Sequence, residues 1–159
     1  MQEIQITTTL TCYDNVAELP IDVQKLMENA VTARKSAYAP YSQFRVGVAI
    51  TLENGAIVSG SNQENAAYPS GLCAERVALF QAGSIHPDKK IKQIAVVAKK
   101  STENEFRPVS PCGSCRQVML EFEHKQDHPI EIIFQTAEGW LVIKSTKLLL
   151  PFCFDKNNL

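Results

Sequence analysis

Two short stretches of this sequence bring together residue types that could bind a metal ion and move protons. The first is the Cys-Ala-Glu-Arg run at 73–76, and the second is the Pro-Cys-Gly-Ser-Cys-Arg run at 111–116. Three cysteine thiolates can hold a zinc ion and leave its fourth coordination position open for water, which is the arrangement of a catalytic zinc site. We therefore predict zinc as a cofactor, with Cys73, Cys112 and Cys115 as its ligands.

The spacing of these cysteines suits the beginnings of two helices. Cys112 and Cys115 are three residues apart, so at a helix start both sulfurs lie on one side of the first turn. Cys73 also precedes a helical pattern, and the positive end of a helix dipole favours the ionised thiolate. Zinc bound there would fix the two helix starts against each other and contribute to folding as well as to chemistry.

Two arginines near the cysteines could tune such a metal. Three thiolates around a divalent zinc leave a net negative charge, which weakens the metal as a Lewis acid. A guanidinium that hydrogen-bonds to a thiolate sulfur would offset that charge. Arg76 and Arg116 both lie close in sequence to the cysteines, and we expect Arg76 to act in this way.

Glu75 is the candidate proton carrier. It stands two residues after Cys73, where a carboxylate cannot easily serve as a fourth ligand but can reach the open coordination position. A carboxylate beside metal-activated water is suited to adding water across a C=N unit and then protonating the leaving amine. Taken alone, Glu75 would equally fit an ordinary acid in a first helical turn, where the helix dipole favours it.

Two other interpretations of the cysteines remain open from their spacing. A lone Cys-x-x-Cys pair can be a redox couple, although a redox couple does not need the Cys-x-Glu run that accompanies it here. A closed structural zinc site needs a fourth protein ligand. None of the residues that could supply one lies in a clear spacing: Cys12, Cys153, His86, His124 and His128.

The composition limits the class of protein. A chain of 159 residues suits one domain with a sizeable core, and its formal net charge of -1 provides no basic field for nucleic acid. The N-terminus lacks the pattern of a secretory signal, and no apolar run approaches the ~20 residues that span a bilayer. The cysteines do not suggest a disulfide framework. We expect a cytoplasmic protein that binds neither membrane nor nucleic acid.

Hydrophobic periodicity and turn signals predict an α/β layered domain with a mixed sheet of about five strands flanked by helices. Residues 1–18 are expected to be an N-terminal extension, with the catalytic domain at 19–159. Within the extension, residues 3–13 could form a strand or a docked arm. The expected elements are a helix that opens at Pro20 and ends before Pro40, a hairpin of strands at 44–51 and 56–60, a helix at 73–82, a strand at 91–98, a helix at 112–123, and strands at 130–134 and 140–143.

The combined motifs resemble those of the zinc nucleoside and nucleobase deaminases. The signature of that class joins a His or Cys ligand, a glutamate that does not bind the metal, and a Pro-Cys-x-x-Cys pair. Cysteine as the first ligand, and the Asn-Gln-Glu-Asn-Ala-Ala-Tyr-Pro run at 62–69, resemble cytidine deaminases of the small homotetrameric type. The likeness runs from about Tyr38 to the C-terminal aromatic residues, which is most of the chain.

This resemblance implies a fold, an activity and an assembly. The fold is that of a cytidine deaminase, and the activity is zinc-dependent hydrolysis of cytidine, and of deoxycytidine, to the uridine product plus ammonia, in pyrimidine salvage. The assembly is a homotetramer with its sites near subunit interfaces. Glu75 would carry protons to the ring nitrogen and the leaving ammonia, and Arg76 would offset the charge of the thiolates.

The resemblance also implies which residues contact the substrate. Asn62 and Glu64 would hydrogen-bond the 3′-hydroxyl of the ribose, and Phe44 would pack against the pyrimidine. A C-terminal aromatic would close over the base, but the spacing does not choose between Phe152 and Phe154. The remaining substrate-binding positions are Ala74 and Tyr68, of which Tyr68 would reach a neighbouring subunit's site.

Two rival functions follow from the same residues. The chain could deaminate another aminopyrimidine, such as a nucleoside antibiotic of the blasticidin type, although the Asn62 and Glu64 pair favours a nucleoside with a free sugar hydroxyl. It could also be a non-catalytic module that binds a protein partner and in which zinc only stabilises the fold. Without the motif, Asn62 would be a loop residue, Glu64 a solvated acid and Phe44 a core residue.

Overall fold

A mixed six-stranded sheet forms the centre of the computed structural model, which describes residues 1–159. The strand order is β1-β6-β5-β4-β2-β3, and three helices flank the sheet. This confirms the predicted mixed sheet flanked by helices. The strands are β1 (Thr11–Tyr13), β2 (Phe44–Leu52), β3 (Ile57–Ser61), β4 (Ile91–Lys100), β5 (Glu131–Thr136) and β6 (Gly139–Ile143), and the helices are α1 (Ile21–Arg34), α2 (Ala74–Ile85) and α3 (Gly113–Gln126).

The sheet has six strands rather than about five because part of the N-terminal segment joins it. Thr11 to Tyr13 pair antiparallel with Val142 to Trp140 at the open edge of β6. Residues 1–10 are exposed and carry no regular structure. The division at residue 18 stays a prediction, but the segment before it is tied to the sheet through β1.

The central strands are paired through one hairpin and through one crossover connection that joins two parallel strands. The predicted hairpin joins β2 to β3 through a turn in which Gly55 takes a left-handed φ of 82°. On its other side β2 pairs antiparallel with β4, and β4 pairs parallel with β5, with α3 in the connection between them. The run in β4 is buried through its middle, as expected of a strand covered on both faces.

Alternating side chains divide the core into two layers. One layer packs α2 and α3 on β2 residues such as Val48 and Ile50, and the other packs α1 on Ala49 and its neighbours. Gly60 in β3 lets α2 approach closely, since a Cβ there would lie 2.6 Å from the backbone nitrogen of Ala78. The N-terminal end of α2 is therefore held tightly against the sheet.

The first helix ends at Arg34, ahead of Pro40 as predicted. The segment that follows pairs elsewhere: the backbone nitrogen of Tyr38 donates to Asn62 O at 3.0 Å, and the backbone nitrogen of Glu64 donates to Tyr38 O at 2.9 Å. These long-range bonds replace helical ones, and they bring two separate loops of the chain together. None of the helices has the length and apolar composition that a bilayer-spanning helix requires.

Candidate active site

The three predicted ligand sulfurs come together where α2 and α3 begin. Cys73 and Cys112 are the cap residues of the two helices, and Cys115 lies in the first turn of α3. The three sulfurs lie within 4.8 Å of one another, and the Sγ atoms of Cys112 and Cys115 are 3.4 Å apart. A tetrahedral zinc with Zn–S bonds of about 2.3 Å places its sulfurs about 3.8 Å apart, so the cluster fits this metal.

The electrostatics of the cluster also favour a cation. The pKa of the Cys73 thiol is lowered to about 5, mainly by a hydrogen bond from Cys115 and further by the guanidinium of Arg76. The pKa of Cys115 is raised by the same bond with Cys73 and by burial. Ionisation of one of these sulfurs therefore disfavours ionisation of the other. A divalent cation between them would offset that repulsion and allow all three to bind as thiolates.

Glu75 lies buried beside the sulfurs, as the second residue of α2. Only 6% of it is exposed. Its pKa is raised, chiefly because burial disfavours the charged carboxylate and also because of the nearby charge of Cys73. A raised pKa makes the carboxylate a stronger proton acceptor, as a group that carries protons requires. An ordinary acid of a first helical turn would face solvent, so this position favours the proton-carrying role.

Only one of the two candidate arginines faces the sulfurs. The guanidinium of Arg76 lies close enough to Cys73 to lower its pKa, and its Nε is buried without a hydrogen-bond partner in the protein. The guanidinium of Arg116 instead donates hydrogen bonds to three oxygens away from the cluster. Its Nε donates to Pro111 O at 2.7 Å, and its terminal nitrogens donate to Leu149 O and Ser110 Oγ at 3.2 and 3.3 Å. Arg116 thus secures the loop that precedes Cys112.

A cavity of about 540 Å³ opens next to Cys73. Its lining includes four further residues that the sequence had singled out: Asn62, Glu64, Tyr68 and Arg76. The structure therefore brings one zinc ligand, the predicted ribose-binding pair and the charge-offsetting arginine to a single opening. Tyr41 and Ser42 also line it, and neither was among the predicted site residues.

The polar side chains of the cavity are held in place by the protein. The amide of Asn62 accepts from Val46 N at 2.8 Å and donates to Phe44 O at 2.9 Å. The Glu64 carboxylate accepts from the backbone nitrogens of Tyr41 and Ser42 at 3.0 and 3.2 Å, and from the Ser42 hydroxyl. The pKa of Glu64 is lowered, mainly by the bond from Ser42, so the group remains an ionised acceptor.

Four predicted substrate contacts lie outside the cavity lining of this single chain. Phe44 is half-buried at the start of β2, and the side chain of Ala74 is fully buried, which leaves only its backbone for a ligand. Phe152 and Phe154 are 86% and 59% exposed. Tyr68, which does line the cavity, is 79% exposed and meets Tyr41 edge-to-face with ring centroids 6.5 Å apart.

Comparison with known proteins adds to this geometry. The family model for the zinc-binding region of cytidine and deoxycytidylate deaminases matches residues 20–127. A cytidine deaminase from Sporosarcina psychrophila is 42% identical over 139 residues, covering 87% of this chain and 96% of that protein. Another, from Halalkalibacterium halodurans, is 48% identical over 101 residues, covering 64% of this chain and 72% of that protein.

A solved structure gives the same picture. The crystal structure of cytidine deaminase from Burkholderia pseudomallei superposes with a TM-score of 0.67 at 37% identity, over 82% of this chain and 97% of that one. The range matched by the family model contains the three clustered cysteines and Glu75, and it ends before the C-terminal aromatic residues.

Loss of one sulfur should remove the metal and weaken the fold together. We expect Cys112→Ala to bind far less than one zinc per chain and to unfold at a lower temperature, because the metal joins two helix starts. Metal analysis and thermal unfolding would measure both effects. Cys12→Ala, which changes an exposed thiol on β1, is the control and should keep its zinc. Full zinc occupancy in Cys112→Ala would contradict the ligand assignment.

Proposed function

Because the chain belongs to the cytidine and deoxycytidylate deaminase family, we propose that it hydrolyses cytidine, and deoxycytidine, to the uridine product and ammonia. The observation that carries this proposal is the cluster of three sulfurs at two helix starts with a buried glutamate beside it. The cavity next to that cluster supplies polar groups suited to a nucleoside. A redox pair would need neither Glu75 nor such a cavity.

The chain provides a zinc site through Cys73, Cys112 and Cys115. When bound there, zinc supplies the Lewis acid that activates the attacking water. Arg76 offsets the excess negative charge of three thiolates, which would otherwise weaken that activation. Cys115 is buried and Cys73 half-buried, which limits the access of bulk water to these two sulfurs, whereas Cys112 is exposed.

Glu75 moves the protons. As water adds to carbon 4 of the base, the Glu75 carboxylate accepts its proton and passes it to ring nitrogen 3. Glu75 then accepts the proton of the new hydroxyl on carbon 4 and donates it to the amino group. The C–N bond breaks, ammonia leaves, and the oxygen on carbon 4 becomes the carbonyl of the product. The pKa of Glu75 is raised mainly by burial, and this makes the carboxylate a stronger acceptor for the proton of the attacking water.

Asn62 and Glu64 bind a sugar hydroxyl in this proposal. Each is already fixed by hydrogen bonds to the protein, so little ordering remains to be done when a ligand arrives. A partly buried polar pair of this kind penalises ligands that lack the matching hydroxyl. It therefore favours a nucleoside over a free base, and we assign the base-packing position to Phe44 and the adjacent backbone contact to Ala74.

We place the protein in the cytoplasm as a homotetramer. Its five cysteines are all free, which suits a reducing compartment. Several large apolar side chains are exposed on the single chain, as is usual for surfaces that associate: Tyr68, Phe80, Ile85, Phe152 and Phe154. A site completed by neighbouring subunits would account for aromatic residues that lie outside the cavity of their own chain.

Removal of the proton carrier should stop turnover without removing the metal. We expect Glu75→Gln to keep its fold and zinc while its kcat for cytidine falls by ~100-fold or more, because no other group is placed to carry both protons. Loss of cytidine absorbance measures the rate, and metal analysis measures zinc. Glu121→Gln, an exposed acid on α3, is the matched control and should remain fully active. Substantial activity in Glu75→Gln would refute its role.

The polar clamp should make the sugar necessary for efficient turnover. We expect kcat/KM to be at least ~100-fold higher for cytidine than for free cytosine, because the base alone leaves the Asn62 and Glu64 groups unpaired. A blasticidin-type nucleoside should also be a poorer substrate than cytidine. Equal rates for cytosine, or a preference for the antibiotic, would contradict the assigned substrate, whereas no deamination of any of the three would contradict the proposed reaction.

The assembly is tested by mass in solution. Light scattering after size exclusion should give four times the mass of the chain, because the exposed apolar residues need partners. Phe80→Glu places a charge on one of these surfaces and should yield smaller species with reduced activity. A monomer with full activity would show that the site is complete within one chain.

A further inference from the structure

The Glu64 carboxylate is held by one short turn, residues 40–43. Oε2 accepts two backbone hydrogen bonds, from Tyr41 N at 3.0 Å and Ser42 N at 3.2 Å. Oε1 accepts the hydroxyl of Ser42. The Ser42 oxygen also accepts from Phe44 N at 3.0 Å, which fixes the hydroxyl so that its single proton is directed to Glu64.

The turn adopts a conformation that costs free energy. Gln43 has a φ of 56°, in the left-handed region that residues other than glycine seldom occupy. Four hydrogen bonds hold it there. Gln43 N donates to Ala39 O at 3.1 Å, and its side chain donates to Pro40 O at 3.0 Å. The backbone nitrogen and the hydroxyl of Ser101 donate to Gln43 O at 2.9 and 3.3 Å. A backbone held in this way next to a polar cavity suggests a functional reason for its shape.

These hydrogen bonds leave one acceptor site on Glu64 and one N–H on Asn62 free for a ligand. A carboxylate offers about four acceptor sites, and the turn uses three of those of Glu64. The amide of Asn62 retains one N–H after its bond to Phe44. One acceptor and one donor are complementary to a hydroxyl, which both donates and accepts.

We propose that Ser42 is a positioning residue, which orients the Glu64 carboxylate so that its remaining acceptor site meets a sugar hydroxyl of the substrate. The inference rests on the proposed function, in which Glu64 binds that hydroxyl. The lowered pKa of Glu64, due first to its bond with Ser42, supports it by keeping the carboxylate a pure acceptor. Ser42 acts through Glu64 and has no part in the proton transfers.

The test compares Ser42→Ala with Ser42→Thr on cytidine and on 2′,3′-dideoxycytidine. We expect Ser42→Ala to raise KM for cytidine ~10-fold, the usual effect of losing one charged hydrogen bond, while kcat changes less than ~2-fold. Its effect on dideoxycytidine should be small, because that substrate lacks the hydroxyl. Ser42→Thr keeps a hydroxyl and should restore most of the affinity.

Controls separate positioning from folding. Ser36→Ala removes an exposed hydroxyl outside the cavity and should leave both substrates unaffected. Zinc content and thermal unfolding of Ser42→Ala should match those of the unaltered protein. If Ser42→Ala does not fold, Ser42→Cys replaces it, since a thiol of similar size is only a weak donor. In a Glu64→Ala background, Ser42→Ala should add no further rise in KM.

The outcomes distinguish this inference from the function on which it rests. If Ser42→Ala weakens both substrates equally, or adds its full effect in the Glu64→Ala background, the positioning role is overturned. If cytidine turnover is normal and Glu64→Ala raises KM but Ser42→Ala does not, this inference alone fails. If the unaltered protein does not deaminate cytidine, the proposed function fails and this inference fails with it.

Discussion

Mutual repulsion among three clustered sulfurs is the constraint that the rest of the structure satisfies. Thiolates within 4.8 Å of one another are stable only with a cation between them or a proton shared among them. Two helix N-termini point their positive ends at the cluster, and Arg76 adds a full positive charge. Two contacts hold those helix ends in place. α2 packs closely against Gly60, and Arg116 hydrogen-bonds to the loop before Cys112. Metal binding and folding are therefore parts of one equilibrium.

The side of the cavity that we propose to bind the sugar is connected to the same helices through β2 and β3. Asn62 follows β3 and bonds to the backbone of β2, while Glu64 is held by the turn that precedes β2. Both groups are therefore held by hydrogen bonds near the N-terminal end of β2. Because α2 packs on this hairpin, the same packed elements position both the cap residue Cys73 and the two polar groups. In the proposed function, the base of the nucleoside lies towards the metal and its sugar towards Asn62 and Glu64.

Helix α3 also connects the metal site with the C-terminal tail. Two of its ligand residues lie at its start, and the next two residues reach the tail: Arg116 bonds to Leu149 O, and Gln117 bonds to Phe154 O at 2.8 Å. The tail aromatics are exposed, so in the proposed tetramer they are available to neighbouring subunits. A shift of α3 upon metal loss would then disturb both the site of its own chain and the surface that it offers to others.

The sequence by itself determined the parts of the protein that depend on local spacing. The cysteine pair, the Cys-x-Glu run, the hairpin turn and the starts of α2 and α3 are all short-range patterns, and the family followed from them. Only the tertiary structure decided the rest. It added β1 as a sixth strand, ended α1 at Arg34, brought Arg76 rather than Arg116 to the sulfurs, and placed Ser42 on Glu64. Each of these outcomes depends on hydrogen bonds or packing between residues distant in the chain, and no local pattern records which distant partner a residue will meet.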